Sequence, residues 1–510
     1  MEIGKKSFFL RPDHLLFFIF VVLKLLLSLI PVQYGIFRDE LYFFSMSNRP
    51  SLGFVDVPPL GPLLLAANRF LFGDSLFAMH ILPAISGVLF LWIAYRLVKK
   101  LDGNNLALFL TLLGVLLAPF FVYTDNTYTY DTFNKLSWFF FSYLMIRLIQ
   151  TGKPRYWIYL GIAAGFGLLF KITLLYLGLG WVIGLLLTRE RKLLWRWEVL
   201  AGGALALAIF SPYLIWQFQH GFITLEYYHN YLTKIVVFSP LSYLFFQINA
   251  INPASIWIWF GGLWSTFFHP QGKLFRCAGI TFLAILTISF LTHAKPDLIL
   301  PFYALLLTFG AVRAGDALAK KEQRWWRVGL VSLIIAVGIF SLPMVRPLLP
   351  VPAYTRIYSS LSFIAKEEKN QTTPLPQILA DRFGWEEMTA KIAEVYHSLP
   401  EADRARTCIM AGNYGEAGAI EYYGKKYNLP LPPVSGHNQY HVWGPGRFTG
   451  DIVIVVGIPR SSLMSNFKTV EDANLFSHPY IMPYENQTIY LCREPIKNFS
   501  EIKPWIKWLN

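Results

Sequence analysis

The stretch "YGIFRDELYFFSMSNRPSLGFVDVPPLGP", residues 34–62, places charged residues directly after an apolar segment long enough to cross a bilayer. Arg38, Asp39 and Glu40 stand together, and Asp56 follows sixteen residues after Glu40. Surface loops are rich in charges, so the stretch alone fits both a solvated loop and a reactive site. The surrounding sequence supplies the context that separates these two interpretations.

Composition indicates an integral membrane protein. The chain has 510 residues, of which 55% are hydrophobic and 15% are charged. Its apolar residues gather in blocks of roughly 16–23, which soluble domains rarely carry. The net charge of +14 is explained by basic cytoplasmic loops between membrane spans. Because no run of basic residues lies within a soluble segment suited to contacting nucleic acid, we expect no nucleic-acid partner.

Eleven apolar segments are predicted to cross the membrane as helices, because about 20 residues at ~1.5 Å each match a hydrocarbon core of ~30 Å. With a cytoplasmic N-terminus, all the loops on the inner side are basic, and the C-terminus then lies outside. We expect a multi-pass protein of the inner (plasma) membrane that contacts membrane lipids. The segments lie near residues 14–32, 76–98, 104–122, 132–150, 156–170, 172–188, 198–216, 251–268, 277–294, 297–313 and 328–345.

From about Arg346 the composition changes to that of a soluble domain. "PQILADRFGWEEMTAKIAEVYHSLP" predicts a strand and then an amphipathic helix, and "RTCIMAGNYGEAGAIEYYGKKYNLP" repeats that order. "GDIVIVVGIPR" and "QTIYLCREP" add short strands, which together predict a small α/β domain. The predicted division is a transmembrane domain over 1–345, with its first extracytoplasmic loop at 33–75, and a soluble extracytoplasmic domain over 346–510.

Acidic residues concentrate on the predicted outer side of the membrane. They are Asp39, Glu40, Asp56, Asp125 and Asp131. Helix ends on one side of a bundle converge, so a carboxylate cluster can form there. A general base needs such a carboxylate close to the group that it deprotonates. Solvated loop charge is the other interpretation of the same residues.

Two further features favour a lipid-borne phosphate substrate. Residues 55–72 are too short to span and return, which predicts an interfacial helix lying along the membrane. Lys295 lies between two predicted spans on the outer side, where positive charge is disfavoured. A phosphate anion would explain that lysine, since lysine binds phosphate as a point charge. Snorkelling of Lys295 to the interface is the alternative.

Several motifs resemble those of GT-C glycosyltransferases. "RDELYF" followed by "GFVDVPPLGPLL" is similar to the first extracytoplasmic loop of bacterial relatives of protein O-mannosyltransferases and lipid A aminoarabinose transferase. "YDTFN" resembles their second acidic site, and "AKPDLILPFYALL" resembles a Lys…Pro segment late in the bundle. The C-terminal "AGNYGEAGAIEYYG…LPPVSGHNQYHVWGPG" is similar to the soluble domain of one bacterial branch. The resemblance therefore covers most of the chain.

At the matching positions, the resemblance implies roles for individual residues. Asp39 would be the general base that deprotonates the acceptor, with Glu40 shaping the site or assisting. Asp131 would be a second catalytic acid near the sugar or the acceptor. Lys295 would bind the phosphate of a polyprenyl-phosphate sugar donor.

The chain departs from the family at one position of the first loop. Aminoarabinose transferases carry a lysine immediately before their Pro-Pro pair, where this chain has Val57, preceded by Asp56. A phosphate contact from that position is lost here, so Arg38 and Lys295 would take more of it. Arg38, Asp56 and Lys295 are the expected substrate-binding residues.

The implied activity is transfer of a hexosyl or pentosyl group to a hydroxyl or phosphate of a lipid, glycan or protein acceptor outside the cytoplasm. A single displacement would invert the anomeric carbon. No cofactor is required by this chemistry, and a divalent metal stays open. The alternatives are a transporter or flippase for lipid-linked sugars, a membrane anchor for a binding domain, and an O-antigen ligase, which differs only in its acceptor.

Three smaller features are left open by the sequence. Lys24 lies near the middle of the first span, where an isolated charge is expensive, and a structural partner is one explanation. Cys408 and Cys492 either form a disulfide or remain thiols. "HNQYH", from His437 to His441, has the spacing of two metal ligands on a helix, but no third ligand is evident.

Overall fold

A large helical bundle carries a small five-stranded sheet at its C-terminal end. This computed structural model describes residues 11–30, 34–235, 238–360, 373–446, 448, 450–496 and 507–509. The bundle helices are α1 (Pro12–Leu29), α2 (Arg38–Ser47), α3 (Leu60–Phe72), α4 (Leu76–Lys100), α5 (Asn105–Leu116), α6 (Pro119–Asp125), α7 (Tyr130–Thr151), α8 (Arg155–Phe170), α9 (Leu174–Leu186), α10 (Trp197–Gln219), α11 (Ile223–Asn230), α12 (Pro240–Ala250), α13 (Ile256–Phe268), α14 (Arg276–Leu291), α15 (Tyr303–Leu318) and α16 (Arg324–Val345).

Helices occupy all eleven segments predicted to cross the membrane. Within the described residues, five helical stretches are long and apolar enough to span, and the α5–α6 pair, bent by 66°, makes a sixth. The five are Pro12–Leu29, Leu76–Lys100, Trp197–Gln219, Gly272–Leu291 and Lys321–Val345. The prediction of membrane helices is confirmed, while their exact number stays a prediction.

The outer helices expose apolar side chains as lipid-facing helices do. On α16, Leu333, Ile339 and Phe340 are all exposed, whereas Ile334 and Gly338 face inward and are buried. Such a surface would be unfavourable in water but not in hydrocarbon. At the end of α3, Phe70, Leu71 and Phe72 are likewise exposed, as the predicted interfacial helix requires.

Small residues let α13 and α15 pack closely. A Cβ atom on Gly262 would overlap the carbonyl oxygen of Leu306, and one on Gly310 would overlap that of Ile258. Close backbone approach of this kind is a common way for membrane helices to associate, because lipid supplies no hydrophobic drive. Gly261, one position earlier on α13, has nothing within 4 Å of its would-be Cβ.

The adjacent glycines of α13 give a matched pair of variants. We expect Gly262→Leu to lower the free energy of unfolding by about 1–3 kcal/mol or more, because α13 and α15 must separate. Gly261→Leu adds the same side chain on a free face and should change stability by only about 0.5 kcal/mol. Thermal unfolding in detergent measures both. Equal effects of the two variants would show that the helix contact does not decide stability.

Lys24 has the structural partner that its position required. It forms an ion pair with Asp125, which also pairs with Lys135, and all three side chains are buried. The Cβ atom missing from Gly87 leaves room for this cluster. The sequence listed Asp125 among the acids of the predicted outer side, and its carboxylate is buried in this ion network.

The described residues of the C-terminal region form seven α-helices and one mixed sheet. Strand order is β2-β1-β3-β5-β4, in which β1 runs parallel to β2 and β3, and β5 is antiparallel to β3 and β4. The elements are α17 (Val351–Ser360), α18 (Gln377–Ala380), α19 (Trp385–Ser398), α20 (Glu401–Arg404), β1 (Thr407–Ala411), α21 (Tyr414–Tyr423), β2 (Val434–Ser435), α22 (Asn438–Trp443), β3 (Ile452–Val456), α23 (Arg460–Met464), β4 (Phe467–Phe476) and β5 (Gln487–Pro495).

The predicted small α/β region is present, with two corrections to its elements. "PQILA" is not a strand, because residues 377–380 form the short helix α18. The long strand β4 was not predicted, since its mostly exposed sequence has no apolar alternation. Cys408 and Cys492 are free thiols. Both pair with Val453, from opposite sides of β3, so their Cα atoms are two strand spacings apart, about 9–10 Å, beyond disulfide reach.

The sheet is joined to the bundle through α2. Helix α21 crosses α2 so closely that a Cβ on Gly418 would lie 2.9 Å from the backbone of Leu41. One apolar core includes Leu41 and Phe43 from α2 together with Ile420 and Ile454 from the C-terminal region. The helix that carries Asp39 is therefore held rigidly between the two parts of the chain.

Candidate active site

A cavity of about 760 Å³ opens between α2, the loop after it and the C-terminal sheet. This size lies in the upper part of the range for small-molecule sites. The carboxyl ends of the parallel strands β1 and β3 supply one wall, as expected for ligand sites in α/β sheets. Its lining includes Arg38, Asp39, Tyr42, Asp56, Val57, Tyr130, Tyr227, Tyr231, Lys295, Asn413, Tyr414, His437, Asn438, Tyr484, Glu485 and Trp508.

Asp39 faces this cavity from the first turn of α2. Its side chain is 23% exposed, and Tyr414 of α21 donates a hydrogen bond of 2.9 Å to its Oδ1 atom. The Nε atom of Arg38 lies 3.9 Å from the same oxygen. The carboxylate is thus held in place and still reachable, which is the arrangement that a general base needs.

Asp56 is a second carboxylate in the same lining. The Tyr42 hydroxyl donates to Oδ1 at 2.8 Å, and the Asn438 amide donates to Oδ2 at 3.1 Å. Burial raises the pKa of Asp56 to about 6, and the nearby charge of Asp39 adds to the rise, while the two hydrogen bonds oppose it. The rings of Tyr42 and Tyr414 stack with centroids 4.7 Å apart, so the residues that hold Asp56 and Asp39 support each other.

Two of the described lining residues are cations, and they differ in how they are engaged. Arg38 contacts Asp381 at 3.5 Å and the Tyr484 hydroxyl at 3.3 Å. The Nζ atom of Lys295 lies 4.5 Å from the ring centroid of Tyr231. Within the described part of the chain, no carboxylate lies within ion-pair distance of Lys295. Tyr231 is thus a neutral partner of Lys295, and the lysine charge remains available to an anionic ligand.

Glu40 and Asp131, which the resemblance placed in the catalytic set, lie outside the described lining of the cavity. Glu40 is fully buried and accepts hydrogen bonds from the backbone amides of Phe37, at 3.0 Å, and Tyr128, at 2.8 Å. Asp131, at the start of α7, pairs with Lys171 at 2.8 Å. The structure brings Asp39 together with Arg38, Asp56 and Lys295 in one lining, and the described lining does not include Glu40 or Asp131. Their catalytic roles stay predictions.

The "GNYGEAG" turn has the geometry of an anion site, but a residue of the chain fills it. The backbone amides of Gly412 and Asn413 donate to the Glu416 carboxylate at 2.7 and 3.2 Å. The Gln487 amide donates to its other oxygen at 2.7 Å. A phosphate cannot occupy amides that are already bonded to Glu416.

Glu416 forms a buried carboxyl pair with Glu485, whose side chain reaches the cavity. Burial and the neighbouring Glu416 hold the pKa of Glu485 well above its usual range. Burial raises the pKa of Glu416 as well, but its three hydrogen bonds oppose that rise, so we expect the proton of the pair on Glu485. Two carboxyl groups in one site cannot both ionise without strong repulsion.

The pair yields a prediction about stability and pH. Glu485→Gln imitates the neutral carboxyl and should leave unfolding nearly unchanged, whereas Glu416→Gln puts an amide against backbone donors and should cost about 1–3 kcal/mol. A raised carboxyl pKa stabilises the fold at low pH, and that stability is lost as the pH rises through it. The loss at alkaline pH should therefore be smaller in Glu485→Gln. Thermal unfolding across pH measures this, and matching behaviour of the two variants would overturn the assignment.

The C-terminal lining residues were not predicted as site residues. Tyr414 and His437 follow strands β1 and β2, so strand-end position was the available signal. The Nδ1 atom of His437 accepts from the Tyr414 amide at 3.2 Å. The described residues contain no group of three His, Cys, Asp or Glu side chains arranged for a metal ion, so "HNQYH" gains no third ligand there.

Comparisons with known proteins agree with this architecture. The family model "Dolichyl-phosphate-mannose-protein mannosyltransferase" matches residues 56–216. The structure of ArnT from Cupriavidus metallidurans bound to undecaprenyl phosphate matches with a TM-score of 0.60 and 15% identity, covering 94% of this chain and 97% of that chain. This chain has the GT-C fold. The apo structure of the same ArnT gives a TM-score of 0.61 at 14% identity, with coverages of 94% and 97%. No curated protein sequence matches the chain.

The GT-C assignment confirms the resemblance stated from the sequence motifs. The family match begins at Asp56 and ends within α10, so it lies in the helical part of the chain. The likeness to ArnT extends over 94% of this chain. The lining of the candidate site comes from both the helical part and the C-terminal region.

Proposed function

We propose that this GT-C protein is a membrane glycosyltransferase that moves a sugar from a polyprenyl-phosphate carrier to an acceptor outside the cytoplasm. The observation that carries the proposal is the shared cavity of Asp39 and Lys295. One residue offers a held carboxylate and the other an available cation. The related fold of ArnT, solved with undecaprenyl phosphate, supports a lipid phosphate as the carrier.

In the proposed reaction, an acceptor oxygen attacks the anomeric carbon of the donor sugar. The new carbon–oxygen bond forms as the bond from that carbon to the phosphate oxygen breaks. Asp39 takes the acceptor's proton, and the electron pair leaves with the carrier phosphate. Lys295 stabilises the growing phosphate charge more in the transition state than in the ground state, which lowers the barrier. One displacement inverts the anomeric carbon.

Other residues would position these two groups. Tyr414 fixes Asp39 through its 2.9 Å hydrogen bond. Glu40 ties the start of α2 to the loop that precedes α7, through the amides of Phe37 and Tyr128. We assign Glu40 to this positioning role. The exposed apolar end of α3 would keep the cavity at the membrane surface, where a lipid carrier can enter.

A direct test uses the purified full chain in nanodiscs with a lipid extract that contains polyprenyl-phosphate sugars. Mass spectrometry should show loss of the sugar-bearing lipid and gain of free polyprenyl phosphate when an envelope extract is added as acceptor. Boiled protein is the control. The bond cleavage is the decisive event, because a flippase would move the intact lipid across vesicles without consuming it. Intact donor together with such movement would replace our proposal by the transporter alternative.

A further inference from the structure

The acid-rich end of the cavity has spare capacity to accept hydrogen bonds. Each oxygen of Asp56 receives one hydrogen bond, from Tyr42 or from Asn438, and keeps a further lone pair. In the described part of the chain, no lysine, arginine or histidine lies within ion-pair distance of Asp56. A ligand at this end must therefore bring hydrogen-bond donors.

The cations among the described lining residues favour a single bound phosphate. Among the described lining residues, Arg38 and Lys295 are the charged bases, and Arg38 is engaged with Asp381 at 3.5 Å. The Nδ1 atom of His437 is engaged with the Tyr414 amide. Val57 adds no charge. One available cation, Lys295, matches one phosphate, and the proposed donor already supplies it.

We propose that the end of the cavity bounded by Asp39, Asp56 and the Tyr42–Tyr414 stack binds the acceptor, and that the acceptor is an uncharged sugar with neighbouring hydroxyls. This inference rests on the proposed glycosyltransferase function and names its acceptor class. An acceptor phosphate would lie beside the carboxylates of Asp39 and Asp56, and Arg38, the other charged base among the described lining residues, is already engaged by Asp381 and close to Asp39. That arrangement is electrostatically unfavourable for a second phosphate.

The presence of a base points to the same class. A phosphate oxygen is already ionised at neutral pH and needs no proton removed before it attacks. A hydroxyl group does need one removed, and Asp39 is held at 2.9 Å by Tyr414 for that task. The lining thus suits a neutral hydroxyl both as ligand and as nucleophile.

The second carboxylate, Asp56, favours a sugar as acceptor over a serine or threonine side chain. A protein side chain offers one hydroxyl, which Asp39 would use. Asp56 then needs another donor close by, and a sugar ring carries hydroxyls on adjacent carbons. Sites built to hydrogen-bond a hydroxyl discriminate strongly against ligands that lack it, because their buried polar groups are left unpaired.

The test compares the wild type with Asp56→Asn in cells that make their own lipid-linked donors. Transferred sugar is measured by mass spectrometry in neutral glycans, lipid phosphates and proteins, at equal protein amounts. With a hydroxyl acceptor, transfer should fall about tenfold or more, as loss of a hydrogen bond to a charged group predicts. With a phosphate acceptor, transfer should rise, because a repelling charge is removed. Asp472→Asn, an exposed carboxylate on β4, is the matched control.

A second measurement decides the matter even where Asp56→Asn folds poorly. The sugar added by the wild type should survive mild acid, since a glycosidic bond resists conditions that cleave a sugar–phosphate bond. Acid-labile attachment, or attachment to protein, would overturn the sugar acceptor while leaving the proposed function intact. Absence of transfer to every fraction, with donor lipids unconsumed, would instead refute the glycosyltransferase itself.

Discussion

Asp39→Asn should lower the turnover of donor lipid by about 10²–10⁴-fold, the contribution expected of a general base. Asparagine has nearly the same shape and can still accept the hydrogen bond from Tyr414, so the cavity should keep its geometry. What it lacks is the ability to take a proton from the acceptor. Release of polyprenyl phosphate in a single turnover, followed by mass spectrometry, measures the effect.

Binding of polyprenyl phosphate shows whether Asp39→Asn has lost only its base or also its fold. The Asp39 carboxylate has no hydrogen to donate to a phosphate. Binding of polyprenyl phosphate to Asp39→Asn should therefore not weaken. Asp316→Asn, an exposed carboxylate near the end of α15, controls for removal of one negative charge. Turnover that survives in Asp39→Asn but disappears in Asp56→Asn would transfer the role of base to Asp56, which lines the same cavity.

The helical bundle could be predicted from sequence because each segment carries its own signal. Apolar runs of membrane-spanning length are local, and a helix occupies each predicted segment. The acid loop could be found for a similar reason, since Arg38, Asp39 and Glu40 are consecutive. The residue pattern alone could not tell which of Asp39 and Glu40 faces the cavity, because the two are only about 100° apart around α2 and the packing of that helix decides which carboxylate is buried.

The C-terminal wall of the site depends on contacts between distant residues. Tyr414 lies 375 positions from Asp39, and Asn438 lies 382 positions from Asp56. No local pattern marks such residues, because their neighbours determine only the strand and helix on which they stand. The pairing of Asp125 could not be predicted for the same reason: its partner Lys24 is about a hundred residues earlier, and pairing between them is a property of the packed bundle.

Charge placement also argues against the flippase alternative. The buried Lys24–Asp125–Lys135 cluster is an internal ion network with its members paired to each other, whereas the available groups gather in one cavity beside the sheet. Alternating access requires ionisable groups at a site that both sides can reach in turn. A cavity closed on one side by the docked C-terminal region is better suited to chemistry at a single face.

Lys295→Met should reduce turnover by about 10²–10³-fold, the size seen when a preorganised group facing transition-state charge is removed. Methionine keeps an unbranched side chain of similar length against Tyr231 but carries no charge. Binding of polyprenyl phosphate, the proposed product, should weaken about tenfold or more, as loss of a charge-assisted contact predicts. Lys295→Arg should restore part of both, since it restores the cation.

These expectations distinguish Lys295 from a lysine that merely snorkels to the interface. A snorkelling residue would leave product binding unchanged in Lys295→Met, and any loss of turnover would follow the loss of folded protein. Lys320→Met, at an exposed position after α15, is the matched control and should change neither quantity. If product binding weakens in Lys295→Met but not in Asp39→Asn, Lys295 binds the phosphate and Asp39 takes the proton. Unaltered binding in both would remove the phosphate from this end of the cavity and leave Arg38 as its remaining cation.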